Sequence, residues 1–236
     1  MKILSIECSA TPASCAIIED GKIKASSFIN AKLTHSQTLM QMIINALDNS
    51  ATKLCDIDSI AIAVGPGSFT GLRIGISAVK GLAAPNDIPC IPVSTLDGMA
   101  QAFIDRDCIV CAVMDARCNQ FYNALFEIKD GVITRLCDDR ALMCNELKQD
   151  ITKISPEQKI IICGDGADLF YKSVNDMPNV FVAPEVLKLQ SAVGVGMYAY
   201  RNIDTISTVS PNDLLPTYLR LPQAERELKA KTEDKK

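Results

Sequence analysis

The chain alternates short apolar runs with segments of helical period. Residues 2–6 (Lys-Ile-Leu-Ser-Ile) have the length and composition of a buried strand. Residues 14–19 and 22–28 are two more strand-like runs, joined at Asp20-Gly21, a dipeptide that favours the positive φ of a tight hairpin. Over 35–49 the period changes. Leu39, Met42, Ile43, Ala46 and Leu47 recur at the spacing of one helical face, with Thr34 or Ser36 available as its N-cap. A fourth strand is predicted at 59–64, a Gly-rich turn at 65–70, and a helix over 71–83 that stops before Pro85. A strand at 90–93 and a helix at 95–104 complete this half.

The second half repeats the order. A strand at 108–114 precedes a hairpin, 120–127 with 132–137, that turns at Asp130-Gly131. A helix over 144–153 follows, then a strand at 159–163 running into Gly164-Asp165-Gly166, and a short helix to about 173. Strand, hairpin, helix, strand, Gly-x-Gly and helix thus occur twice without a residue-level repeat, and an acid follows the first strand each time: Glu7, then Asp115. The pattern predicts an α/β fold of two related lobes, each a mixed sheet covered by helices. Residues 1–104 form the first lobe and 105–187 the second. A helix over 188–202 and a Pro-bounded segment, 211–220, with Leu214, Leu215, Tyr218 and Leu219 as packed residues, return to the first lobe, so that 188–221 belongs with it. The stretch 222–236 is expected to be a solvated tail, since its last 14 residues carry nine charges and one Leu.

Composition narrows the function. The chain has 236 residues, a net charge of −4, ten Cys and a single His. A His pair on a metal cannot be built from it, and a His-containing triad would have to use His35. The acidic balance gives no basic face for holding nucleic acid unaided. No 18-residue apolar run exists, so no membrane span is expected. The apolar stretch at the N-terminus is too short for an export signal and is broken by Glu7. The chain is therefore expected in the cytoplasm, with its Cys as reduced, buried thiols.

Candidate chemistry begins at Gly65-Pro66-Gly67-Ser68-Phe69-Thr70-Gly71. A helix N-terminus after a Gly-rich turn exposes unpaired N–H groups that suit an anion. The plain alternative is a tight turn capped by Ser68 or Thr70. No Lys-Ser or Lys-Thr follows the last Gly, which excludes a P-loop, and Pro66 removes an N–H from the turn. Arg73 stands in the first turn of the helix against the dipole, which calls for a carboxylate or phosphate partner, or for a surface ion pair. Gly71, Gly75, Ala78 and Gly81 or Leu82 fall near one face, and each Gly costs ~1 kcal/mol of helix propensity. Close approach of the 35–49 helix would offset that cost. Met40, beside the apolar stripe of 35–49, suits an adaptable binding surface, so the helix pair is a candidate dimerisation face.

Glu7 and Asp115 lie at strand ends, where α/β folds place ligands. Such acids can hold Mg²⁺ at nucleotide phosphates in a cleft between lobes, which is the ATP-dependent reading of the chain. Cys8-Ser9-Ala10 and Ala116-Arg117-Cys118 contain no Gly to admit phosphates, so capping or salt-bridge roles are favoured for both acids. Cys108 and Cys111 form a lone CxxC within a strand, where they point to opposite faces. His35 is expected to cap a helix or lie at the surface.

These residues resemble the TsaB (YeaZ) family. The likeness is carried by Ile3 to Ser9, His35-Ser36-Gln37 with Leu39, Gly65 to Ser77 (GPGSFTGLRIGIS), Pro92 to Leu96, Met114 to Arg117, and Pro216 to Arg220. The related TsaD family carries a similar Gly-rich segment and, in addition, a His-x-x-x-His metal pair that a chain with one His cannot supply. The resemblance implies a two-lobed fold of the actin, Hsp70 and sugar-kinase class, a duplicated ribonuclease H-like unit. It implies a part in making threonylcarbamoyladenosine on tRNA, as a non-catalytic subunit paired with a catalytic TsaD-like protein, joined by a TsaE-like ATPase. It also implies homodimerisation through the same surface, contact with tRNA only indirectly, and no cofactor bound alone, with ATP and Mg²⁺ entering only in the complex. Carried over by position, the partner face holds His35, Leu39, Met42 and Ile43 on one helix and Leu72, Arg73, Gly75, Ile76 and Val79 on the next. Glu7, Ser68, Thr70 and Asp115 mark what is left of a nucleotide or anion site. Glu7 departs from the family, which usually has Asp there.

Overall fold

The computed structural model describes residues 1–220; the charged segment beyond lies outside them. Two sheets are built on one plan. In the first, β1 (Lys2–Glu7), β2 (Ala13–Glu19) and β3 (Lys22–Ile29) run antiparallel, and β4 (Ser59–Gly65) and β5 (Cys90–Ser94) extend the sheet in parallel, in the order β3-β2-β1-β4-β5. In the second, β6 (Cys108–Asp115), β7 (Gln120–Lys129) and β8 (Val132–Arg135) are antiparallel, and β10 (Ile160–Cys163) and β11 (Val180–Val182) are parallel to β6, in the order β11-β10-β6-β7-β8. Apart from one short extra strand that pairs with β7 off this path, the two orders are the same when the elements are numbered within each lobe, so the duplicated α/β fold read from the pattern is the one observed. Both hairpins turn on an Asp-Gly pair with positive φ at each residue (48° and 74° at 20–21, 51° and 75° at 130–131), the geometry that matches strand twist.

Helices cover both faces of the first sheet. On one side, α1 (His35–Asn49) and α2 (Phe69–Ala83) lay Leu39, Met42, Ile43, Ile76 and Val79 on Leu4, Ile6 and Ile62. On the other, α7 (Ala192–Arg201) packs Ala192, Val195 and Ala199 on Ile3, Ile18 and Val93. β1 is buried from Ile3 onward because it is central and covered twice. α3 (Thr95–Ala100) stands between the lobes, with Leu96 and Met99 in one cluster with Val110, Ala112 and Phe126 of the second sheet. The far face of that sheet is covered by α4 (Cys144–Thr152) and α5 (Ala167–Tyr171).

Several details differ from the expectation. A short strand, β9 (Arg140–Met143), pairs with the first half of β7, so the run expected to 137 ends at Arg135. β11 and the short helix α6 (Glu185–Lys188) are additional to the expected elements, and the helix expected over 188–202 begins only at Ala192, as α7. Leu215, expected to pack, is 68% exposed. Cys55 and Cys118 are also exposed, although all ten Cys are free thiols.

Candidate functional site

The joint between the lobes is built from two turns. In the first lobe, Cys8, Ser9 and Ala10, after β1, are all buried. Ser68 is the N-cap of α2. Its Oγ accepts from the Gly71 N–H, and its own N–H donates to the Ser9 carbonyl at 2.6 Å. Of the two capping candidates, Ser68 therefore takes the role, and Thr70 stands exposed in the first turn. The glycines of this turn are used against the chain's own backbone. A Cβ at Gly71 would collide with the Cys8 carbonyl oxygen and lie 3.2 Å from His35 Cδ2; one at Gly67 would collide with the Ser9 carbonyl oxygen. A Cβ at Gly75 would sit 3.3 Å from Ile62 Cδ1 and 3.6 Å from Cys8 Sγ, and nothing lies within 4 Å of one at Gly81. The glycines on the small-residue face of α2 thus meet mainly the sheet and the β1–β2 turn, with His35 of α1 beside Gly71. This corrects the expected helix-to-helix approach.

His35 is also corrected. It is 9% exposed, and Nε2 donates to the Ala10 carbonyl at 2.9 Å, which ties α1 to the same turn. Thr34 is the N-cap of α1 by position, without a side-chain bond.

Glu7 ends β1 at 1% exposure and accepts from the Ser9 N–H. Burial pushes its carboxyl up to about 7, against the opposing effect of the Ser9 bonds and with a further push from the charge of Asp165. Asp165, from the Gly-x-Gly turn after β10, accepts from Gln190 Nε2 at 2.7 Å. Asp165 and Gln190 are not among the candidates the sequence offers; the recurrence after β10 of the Gly-x-Gly that follows β4 is the available signal. Asp115 ends β6, accepts from the Arg117 N–H at 2.8 Å and faces Arg117 Nη1 at 3.4 Å, so its carboxylate closes its own turn. Among the described residues, no group of three or more His, Cys, Asp or Glu is placed to hold a metal ion. Cys108 and Cys111 lie in different apolar clusters on opposite faces of β6.

Among the described residues, no carboxylate pairs with Arg73. Its Nε donates to Tyr218 Oη at 2.9 Å, and its guanidinium lies 5.7 Å from the ring centres of both Tyr218 and Phe69, which stack on each other.

The helix pair presents a different face from the one expected. Leu39, Met42, Ile43, Leu72, Ile76 and Val79 are all at most 5% exposed, and Gly75 is buried with them. With His35 also buried, Arg73 alone of the nine positions is exposed. The apolar stripe read as a partner face is the core face. What a partner can reach is the opposite side: Met40 (41% exposed) and Ile44 (45%) on α1, with Leu33 before it and Ile74 and Ala78 half-buried on α2. Helical geometry sets this outcome, because residues one position away from the buried stripe point outward.

Residues 29–226 match the family model described as TsaD, tRNA N6-adenosine threonylcarbamoyltransferase. The chain is 25% identical over 232 residues to the tRNA threonylcarbamoyladenosine biosynthesis protein TsaB of Bacillus subtilis, covering 95% of this chain and 96% of that protein. It is 39% identical over 129 residues to the TsaB protein of Escherichia coli, covering 54% of this chain and 55% of that one. Among solved structures, YeaZ from Pseudomonas aeruginosa superposes with a TM-score of 0.75 at 25% identity, over 92% of this chain and 99% of that one.

Proposed function

The chain belongs to the TsaD family, on its TsaB (YeaZ) side, with a role in tRNA threonylcarbamoyladenosine modification, and from that premise we propose that it serves as the non-catalytic partner of a TsaD-like subunit. The observation that carries this reading is the pair of large apolar side chains on the outward face of α1, Met40 and Ile44, both more than two-fifths exposed among polar neighbours such as Gln41 and Asn45. Large apolar side chains exposed side by side on rigid helices suit a protein partner. A TsaD-like chain of the same fold would lay its own helix pair on this face, and a second copy of the chain would compete for it. A TsaE-like ATPase would join the pair, bringing ATP and Mg²⁺ to the complex. The tRNA would be held by the partner, since this chain is net acidic. Among the described residues no helix is long and apolar enough to cross a membrane, which suits work beside tRNA in the cytoplasm. The crowded α2 turn supports the absence of a nucleotide in this subunit, because its N-terminal glycines face Cys8 and Ser9.

The test is a double variant, Met40→Asp with Ile44→Asp, mixed with the TsaD-like protein of the same organism. Both positions are exposed, so the thermal melt should stay within a few degrees of wild type. Two charges placed in a desolvated interface should weaken association ~100-fold or more, which gel filtration would read as loss of the heterodimer. Association within threefold of wild type would remove this face from the proposal. Depleting the protein should lower threonylcarbamoyladenosine in tRNA hydrolysates, and the double variant should fail to restore it.

A further inference from the structure

A cavity of about 380 Å³ opens between α3, the β7–β8 hairpin and α7. Its charged groups are already matched within the chain: Arg135 pairs with Asp97 and Asp139, and Arg201 donates to Gln101. The segment that follows α7 carries more. Residues 214–220 leave the first lobe, pass over Gly65 at the start of the α2 turn, and end on the β6–β7 turn of the second lobe.

The anchors on the first lobe come in sequence. Leu214, 1% exposed, belongs to the core under α1 and α2. The Thr217 N–H donates to the Val64 carbonyl at 2.8 Å. The Thr217 carbonyl then lies so close to Gly65 that a Cβ there would collide with its oxygen, and Gly65 holds a φ of +130° that other residues rarely adopt. Tyr218 stacks on Phe69 with ring centres 4.1 Å apart and accepts from Arg73. One residue later the chain belongs to the other lobe. Leu219 packs against the cluster that holds Leu96, Ala116 and Phe126, and Arg220 Nη1 donates to the Ala116 carbonyl, next to Asp115.

The anchors differ in permanence. Leu214 is fixed in a core. Tyr218, Arg73 and Phe69 meet at the surface, Leu219 is only half-buried against its cluster, and Arg220 holds one backbone carbonyl. Contacts of the second kind can part without opening a core. We propose that residues 217–220 are an inter-lobe latch: with Arg220 seated on Ala116, the turns that carry Glu7 and Asp115 are held together, and unseating Arg220 lets the lobes part at that joint. This device uses only contacts within the chain and stands whether or not α1 binds a partner.

Hydrogen exchange on the full chain, followed by mass spectrometry, tests it. Arg220→Ala should raise exchange tenfold or more over 8–12 and 115–119, while α4 and β10 keep the wild-type rate. Tyr218→Phe, which keeps the ring stack and loses the acceptor for Arg73, should give a smaller rise at the same two turns. Arg220→Lys can still donate to Ala116 and should exchange like wild type. Exchange within twofold of wild type at both turns in Arg220→Ala overturns the latch. So does a rise spread equally through 144–163, and so does an Arg220→Lys variant as fast as Arg220→Ala.

Discussion

Replacing Glu7 by Gln is expected to stabilise the protein at pH 8 by about 3 kcal/mol and to change its stability little at pH 4.5. The reason is the burial of the carboxyl at the end of β1, which raises its folded-state value from 4.5 to about 7. A group whose value rises on folding binds more protons folded than unfolded between those two limits. Its contribution is therefore fully present below the unfolded value and is lost as pH climbs through the window from about 4.5 to about 7. Above it, the folded chain must keep an ionised carboxylate at 1% exposure, with the Ser9 N–H as donor and Asp165 adding repulsion. At 1.36 kcal/mol per pH unit, the whole window is worth about 3 kcal/mol. Gln keeps an oxygen for the Ser9 N–H and removes the charge. Urea denaturation under reducing conditions at pH 4.5, 6 and 8 reads the difference directly. Wild type and Glu7→Gln should diverge steadily with pH; parallel curves would show that the carboxylate is solvated or paired in the folded protein.

What the hydrophobic pattern reveals, and where it falls short, follows from how much each position is constrained. β1, β4 and β6 are central strands, so nearly every residue is apolar and the run is plain to read. The Asp-Gly hairpins are equally plain, because the turn geometry demands those residues. β9 and β11 are three or four residues long and half-buried, and α6 has four residues; segments that short show no period. The α1 stripe is legible as an amphipathic face, but the stripe itself is the buried side, and the large apolar residues left at the surface are the exceptions beside it: Met40 and Ile44. His35 and Arg73 depart from their expected roles for a shared reason. Their partners, Ala10 and Tyr218, lie 25 and 145 residues away, and one is a backbone carbonyl. Likewise, the GPGSFTG segment is conspicuous as a motif, but spacing alone does not distinguish a turn that admits an anion from one that admits the chain's own Cys8 and Ser9.

One substitution at two positions of α2 separates these readings of the motif. Gly71→Ala is expected to destabilise the protein by about 3 kcal/mol or more, and Gly81→Ala to stabilise it by about 0.5–1 kcal/mol. Both changes add one methyl group to the same helix, and both gain the helix propensity of Ala over Gly. At Gly81 the site is exposed, with nothing within 4 Å of the new Cβ, so that gain is the whole effect. At Gly71 the new Cβ meets the Cys8 carbonyl oxygen, with the Cys8 carbonyl carbon at 3.3 Å and His35 Cδ2 at 3.2 Å. Backbone cannot rotate away as a side chain does. Cys8 directly follows β1, the central strand, and its turn is fixed by the Ser68 N–H on Ser9 and by His35 on Ala10. The start of α2 must therefore move instead, lifting Leu72 and Ile76 from the core and breaking the Ser68–Ser9 bond. For a protein of this size, ~1 kcal/mol moves the melting temperature by about 2–4 °C. Gly81→Ala should melt slightly above wild type, and Gly71→Ala roughly 6–12 °C below it or be recovered as insoluble protein. If Gly71→Ala instead melted with wild type, the turn would have room to spare at the point where α2 meets β1. The glycines of the motif would then be free for a ligand rather than required by the chain's own backbone.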